Sequence, residues 1–486
     1  MSRRAAAVLG GLVLAAGAAV RLFRLDHFSF GLDEVIQGFW IRGSWDFFWK
    51  SLRLAAVHPP LDYLVARAVE QLDPQAWQRK LPAVLWGVAT VAALGALVAR
   101  RAGRAAGLVT ALLLAFAPFH VRYSQEFRPY SLGLLLLCLS LLALDCFLER
   151  PGIGRLVLLY LATLATAYTL YLAALVLALA AMAMLAEDAF SQDAGRRQAA
   201  RRLLAWSPVF IAALWLAYLP WWPVVLEAAR QPPMAARPPL SFGRAERILS
   251  FFAFAGEGGQ RLGMPGLLFL GLALCGTWMA LRRRQIRFLA IWAWGGLAAI
   301  EVLGQIHPYF DFARRYLPAG VALVPVAAVP LAELGMSRSR RAVAVLVAAV
   351  VLALDARFLV VYFREGRADW RPLARFLATR PAEERIFTEN QYSQLCVAYY
   401  VCGPDWMYRK GEGYRPVWSM DDDLVRLMSA WPPGSTGWLI FGGQPAHEPL
   451  RSWAQAFPAT PFPSAEGAVL HQLDPALREA AFGLKR

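Results

Sequence analysis

Residues 156–186 read LVLLYLATLATAYTLYLAALVLALAAMAMLA, 31 residues without a charged side chain. About 20 apolar residues let one helix cross the hydrocarbon core of a bilayer, and about 25 is the usual upper limit. The stretch is therefore too long for one untilted helix and reads as two short ones meeting near Tyr168 to Tyr171. Outward from it, apolar runs of spanning length lie at 5–23, 81–99, 105–120, 129–147, 203–226, 264–281, 288–305, 316–335 and 342–360. With the central pair they predict an α-helical polytopic membrane protein with about 11 transmembrane helices. Composition agrees: 58% of the 486 residues are hydrophobic and mean hydropathy is +0.42, whereas soluble domains are about 45–50% apolar.

The net charge of +16 is distributed in a way that excludes nucleic acid as the partner. Its arginines fall in short clusters between the apolar runs: Arg3-Arg4, Arg100-Arg101-Arg104, Arg150 and Arg155, Arg196-Arg197-Arg201-Arg202, Arg282-Arg283-Arg284-Arg287, and Arg338-Arg340-Arg341. That is the mark of cytoplasmic loops, not of a basic stripe interleaved with aromatics. With the N-terminus inside, every cluster lands on the cytoplasmic side and the C-terminal segment outside. The first run, SRR followed by AAGAA, has features of a signal peptide. Because the run continues through Val20 to Phe23, it is read as an uncleaved anchor.

The expected organisation is a membrane domain over residues 1–361, with outer-face loops at 24–80 and 227–263, and an extracytoplasmic soluble α/β domain over 362–486. In the first loop, Leu61, Leu64, Val65, Ala68, Val69 and Leu72 follow helical spacing after Pro59-Pro60 and predict an amphipathic helix in the membrane interface. The 227–263 loop is rich in Pro, Gly and Arg and reads as mobile. In the tail, DWRPLARFLA, QYSQLCVAYY and DDLVRLMSA read as helices, and RIFTE, GWLIFGG and AVLHQL as strands. Cys396 and Cys402 leave two readings open, a disulfide or two thiols on one helix. Neither a zinc-type Cys/His spacing nor a nucleotide-binding glycine motif is present.

Residues that carry chemistry gather at the outer ends of the spans. FGLDEVIQGFW at 30–40 contains Asp33 and Glu34, and a buried carboxylate pair repels itself unless a cation or dipole is near. His58 opens the interfacial helix, Gln125, Glu126, Arg128 and Tyr130 lie between two spans, and Tyr171 lies at the central hairpin. Glu257 sits in the second loop, and His307, Asp311, Arg314, Arg315 and Tyr316 precede the span at 316–335. Each has a plainer reading: interfacial Arg and Tyr as anchors, His58 as a helix cap, Glu126 and Arg128 as a local ion pair. Glu301, a turn from the end of its span, reads as snorkelling to the surface.

Carboxylates, arginines and a lipid surface together suit transfer of a sugar from a polyprenyl phosphate. The leaving group is already anionic and calls for bidentate arginine rather than a protonating acid. One carboxylate base is enough for a direct displacement with inversion.

The order LDE after the first span, HPPL at 58–61, SQEFRPY at 124–130 and RRYLP at 314–318 resembles polytopic GT-C glycosyltransferases. More narrowly it is similar to the bacterial relatives of protein O-mannosyltransferases and of lipid A aminoarabinose transferases, family 39- or 83-like, over about residues 1–335. The resemblance implies that Asp33 is the catalytic base, and that Glu126, with Glu34 and His58, lies in the acceptor or metal neighbourhood. It implies that Arg128, Arg314, Arg315 and Tyr316 bind the donor phosphate, with Gln125, Tyr130, Tyr171, Glu257 and His307 as further outer-face residues. A divalent cation, Mg or Mn, is left open. The implied partners are a polyprenyl-phosphate sugar donor, membrane lipids and an extracytoplasmic acceptor. The implied location is the bacterial inner membrane, with the N-terminus cytoplasmic and the C-terminal domain periplasmic. Asp62-Tyr63 departs from the aromatic common after HPPL, and the tail has no acceptor signature. The competing readings are a transporter or flippase of lipid-linked glycans, which would keep its charges near the midplane on broken helices, and an envelope assembly scaffold.

Overall fold

The computed structural model describes residues 2–230, 241–254, 263–306, 313–365, 369–381, 384–388, 391–407, 417–419, 437–442, 460–462 and 468–473. The chain divides into two compact units. One comprises Met1–Leu25, Leu52–Ala66 and Pro74–Arg364, and the other Asp26–Ser51, Arg67–Asp73 and Glu365–Arg486. The segment read from sequence as one outer loop, 24–80, thus contributes to both.

The first unit is helical. Seven helices of the described residues are long and apolar enough to cross a membrane, and an eighth span is the bent pair Ala313–Gly320 and Leu323–Met336. Shorter apolar helices stand at Arg104–Phe116, Ile153–Ala167 and Gly266–Arg282, where three further spans are expected; by length and apolarity alone they fall short of a crossing. The opening stretch does break in two, into Ile153–Ala167 and Tyr171–Ala189. The main-chain carbonyl of Tyr168, at the break, accepts a 2.9 Å hydrogen bond from the Leu61 amide.

Small residues let the helices approach closely. A side chain at Gly107 would overlap the main chain of Gly95 and Ala99, so Leu81–Ala102 and Arg104–Phe116 pack backbone to backbone. Gly103 makes the turn between them at φ 93°, in a region open to glycine. Around this pair the interior is Leu, Val, Ala and Phe, with Leu94, Leu97, Leu137, Leu141, Phe119 and Trp292 fully enclosed.

One expectation for these segments is revised. The stretch 227–263 holds a helix, Phe242–Phe254, because AERILSFFAF is apolar on helical spacing between its Pro- and Gly-rich flanks. The helix Leu61–Glu70 buries Asp62, Tyr63 and Ala66, not its Leu and Val stripe. In a lipid-facing element the apolar stripe already has a suitable solvent, and the protein-facing side is where polar groups find partners.

In the second unit, five strands form a mixed sheet: β1 Arg385–Thr388, β2 Val417–Ser419, β3 Gly437–Gly442, β4 Thr460–Phe462 and β5 Ala468–Leu473. Their order is β2-β1-β3-β5-β4, with β1 parallel to β2 and β3, and β5 antiparallel to β3 and β4. The helices Arg371–Ala378 and Gln391–Cys402 accompany the sheet, as DWRPLARFLA and QYSQLCVAYY predict. DDLVRLMSA lies outside the described residues. Cys396 and Cys402 stand on one continuous helix and form no disulfide, since six residues of helix separate them by about 9 Å.

Candidate functional site

The acidic pair belongs to the second unit. Asp33 and Glu34 occupy the first turn of the helix Leu32–Arg42, where a carboxylate is favoured by the unpaired amides and dipole of the helix N-terminus. Glu34 is buried, and its Oε2 accepts the Gly31 amide at 3.0 Å, so it caps its own helix. Asp33 is half-buried beside it. The segment is tied down within its unit. The Phe30 amide donates to the Tyr400 hydroxyl at 2.5 Å, Gly38 lies against the Tyr399 ring, and Arg42 pairs with Glu70 and, at 3.1 Å, with Asp405. Arg67 donates to the carbonyls of Ile41 and Gly43 at 2.7 and 2.8 Å and stacks 4.1 Å over Trp45. The aromatics after the acidic pair are thus an anchored framework that fixes where Asp33 stands.

The other candidates lie in the first unit. His58 meets Tyr130 edge-on at 5.9 Å, and Tyr130 meets Tyr123 at 5.2 Å. The imidazole Nδ1 is shut off from solvent and makes no hydrogen bond among the described residues. Burial, then the charges of Arg128 and Arg314, hold its pKa well below the ordinary histidine value. His58 is therefore neutral at pH 7, and two arginines from distant segments converge on it. The Arg315 guanidinium runs past Gly304, 4.0 Å from where a side chain there would begin.

Glu126 forms an ion pair with Arg122 at 3.7 Å, one helical turn before it, and the Arg128 amide donates to the Glu126 carbonyl at 2.9 Å. Gln125 serves the main chain: its Nε2 donates to the carbonyls of Arg21 and Phe23 at 2.8 and 3.0 Å, and its Oε1 accepts from the Tyr362 hydroxyl at 2.9 Å. The Tyr171 hydroxyl accepts from Trp221 Nε1 at 2.8 Å. Glu257 and His307, with Asp311, lie outside the described residues.

Tyr316 enters a group that sequence reasoning missed. Arg244 grips Glu301 with two donors, Nε to Oε1 at 2.8 Å and Nη2 to Oε2 at 3.1 Å. The same Nη2 reaches the Tyr316 hydroxyl at 2.9 Å, and that hydroxyl donates to Glu301 Oε2 at 2.5 Å. Glu301 is therefore held by a buried arginine instead of snorkelling. The signal was an arginine inside the amphipathic stretch 242–254, obscured because that stretch read as a loop. Asp355 was also passed over; it lines a small apolar cavity with Phe119, Phe252 and Phe269. Among the described residues no three His, Cys, Asp or Glu side chains gather as a metal-binding group.

Residues 57–222 match the family described as dolichyl-phosphate-mannose-protein mannosyltransferase. The chain is matched over 166 of its 486 residues. Its fold is similar to that of ArnT from Cupriavidus metallidurans in the apo state, with a TM-score of 0.55 at 16% identity over 97% of this chain and 99% of that one. For the same enzyme bound to undecaprenyl phosphate the TM-score is 0.53 at 16% identity, over 96% and 98%. No curated protein matches the chain in sequence. The matched segment contains His58, the turn 124–130 and the central hairpin, in agreement with the resemblance read from the sequence.

Proposed function

We propose that this multi-pass GT-C protein transfers a sugar from a polyprenyl-phosphate donor to an extracytoplasmic acceptor, by a single displacement with inversion. One observation carries the reading: Arg128 and Arg314 converge on a His58 kept neutral by burial and by their charge. An arginine cluster around a neutral imidazole is a setting for an anion, and a phosphate leaving group needs charge stabilisation from fixed donors at the developing oxyanion. Arg128, Arg314 and Arg315 supply that charge. The fold shared with an enzyme whose structure holds undecaprenyl phosphate supports a polyprenyl donor.

Asp33 is the base. It deprotonates the acceptor nucleophile as that nucleophile attacks the anomeric carbon, while the bond to the donor phosphate oxygen breaks and the pair of electrons leaves with the phosphate. Glu34 holds the helix that presents Asp33, and Glu126 lines the acceptor side. The location is the bacterial inner membrane, with the acidic pair and the tail on the periplasmic side.

The test is Asp33→Asn in a purified transfer assay with polyprenyl-phosphate sugars. Loss of a positioned base lowers kcat by about 10²–10⁴-fold with donor binding unchanged. A well-folded variant that transfers at the parental rate removes Asp33 from this role.

A further inference from the structure

Arg21, in the first span, is completely buried, and all of its contacts run to one short piece of chain or to its own helix. Nε donates to Ser124 Oγ at 3.2 Å; Nη1 donates to the carbonyls of Gly17 and Ala115, both at 2.8 Å. Nη2 donates to the Leu114 carbonyl at 3.3 Å and meets His120 Nδ1 at 2.6 Å. These contacts occupy all five N–H donors of a guanidinium, and every acceptor is neutral. An arginine buried on neutral acceptors is costly, and such residues in membrane spans are kept for a task.

The geometry shows what that task is. The helix Arg104–Phe116 stops because Pro118 has no N–H for the Leu114 carbonyl. Arg21 supplies the missing donor there and at Ala115, which fixes the break. Beyond the break, Ser124 Oγ is held between Arg21 and the His120 carbonyl, the latter at 2.6 Å. Gln125 then returns to the Arg21 carbonyl. The next residues are Glu126 and Arg128. Gly87 completes the arrangement, since a side chain there would overlap Ser124 Oγ and reach 3.2 Å from Arg21 Nε.

We infer that Arg21 is a positioning residue for the transfer reaction: its guanidinium acts through Ser124 to set the turn 124–128, which presents Arg128 to the donor phosphate. The inference rests on the function proposed above only in its last step.

The test uses the full-length protein in lipid nanodiscs, with Arg21→Lys and Gly87→Ala as variants. Lysine keeps the charge but cannot span the five acceptors, and Gly87→Ala displaces Ser124 while leaving the guanidinium intact. Both variants speed amide hydrogen exchange at 124–130 and leave the helix Tyr171–Ala189 protected as before; unchanged exchange at 124–130 in both overturns the inference. With undecaprenyl phosphate as the probe, Arg21→Lys weakens binding about tenfold, the scale of one lost charge-assisted hydrogen bond. In an Arg128→Ala background the same change costs less than about threefold, because contacts in one network are not additive. Equal costs in both backgrounds overturn the route through Arg128. If Arg128→Ala alone leaves probe binding intact, the phosphate role of Arg128 fails, and the exchange result still decides whether Arg21 sets the turn.

Discussion

The helix Tyr130–Glu149 has a charge cluster beside each end, about 30 Å apart. At its C-terminal end Asp145 meets Arg100 at 2.5 Å, Arg101 at 2.6 Å and Arg196 at 2.7 Å. Asp188 takes Arg101 at 2.6 Å and Arg196 at 3.0 Å. Acids and arginines there satisfy one another and join four helices. At the other end Arg128 and Arg314 surround a neutral His58. The first cluster is closed on itself and acts as a structural clasp. The second brings two arginines from distant segments to a buried imidazole. A stretch of sequence rich in arginine says nothing about which of the two it will form.

The sharpest way to break the contrast is Asp145→Asn. Removing one member of a buried network leaves its arginines unneutralised and costs about 3–5 kcal/mol, read as a lower unfolding midpoint in detergent; transfer per folded molecule stays at the parental level. Arg314→Ala is the counterpart at the other end. It raises the donor KM about 10–100-fold, the loss of a hydrogen bond to a charged group of about 1.5–3 kcal/mol, while the unfolding midpoint moves little. If Arg314→Ala instead destabilises the protein as much as Asp145→Asn does, the two clusters are of one kind.

Glu301→Gln weakens its grip on Arg244 and Tyr316. Stability drops by about 1–3 kcal/mol, read as a lower midpoint in the same unfolding assay.

The smallest effect is the acid response of His58. Its pKa in the fold lies below that of the unfolded chain, so between the two values the unfolded chain binds the extra proton. Stability is then fully present above about pH 6.5 and declines as pH falls toward the folded value. His58→Gln flattens that part of the unfolding-midpoint profile between pH 6.5 and 5, and an unchanged slope would mean that other groups set it.

The GT-C resemblance was legible because its signals are local: apolar length, the break near Tyr168, and LDE, HPPL, SQEFRPY and RRYLP in that order along the chain. The tail strands β1, β3 and β5 were legible as β-branched and aromatic runs, whereas three-residue β2 and β4 carry too little pattern to detect. The helix Phe242–Phe254 was hidden because proline and glycine flanks dominate a reading by composition. Arg244 and Arg21 were hidden for a different reason. An arginine near a span end looks like an interfacial anchor, and only its neighbours show that it is buried.

By itself the sequence determined the membrane class, the division of the central apolar stretch into two helices, and the segments where chemistry lies, since these follow from hydropathy along the chain. The tertiary structure decided which charges neutralise one another. It placed Glu301 with Arg244, gave Glu34 to its own helix N-terminus, and turned Arg21 onto the break before Ser124. Partners such as these are distant in sequence, or depend on the local backbone path, and electrostatic and hydrogen-bond energies are set by distances in space.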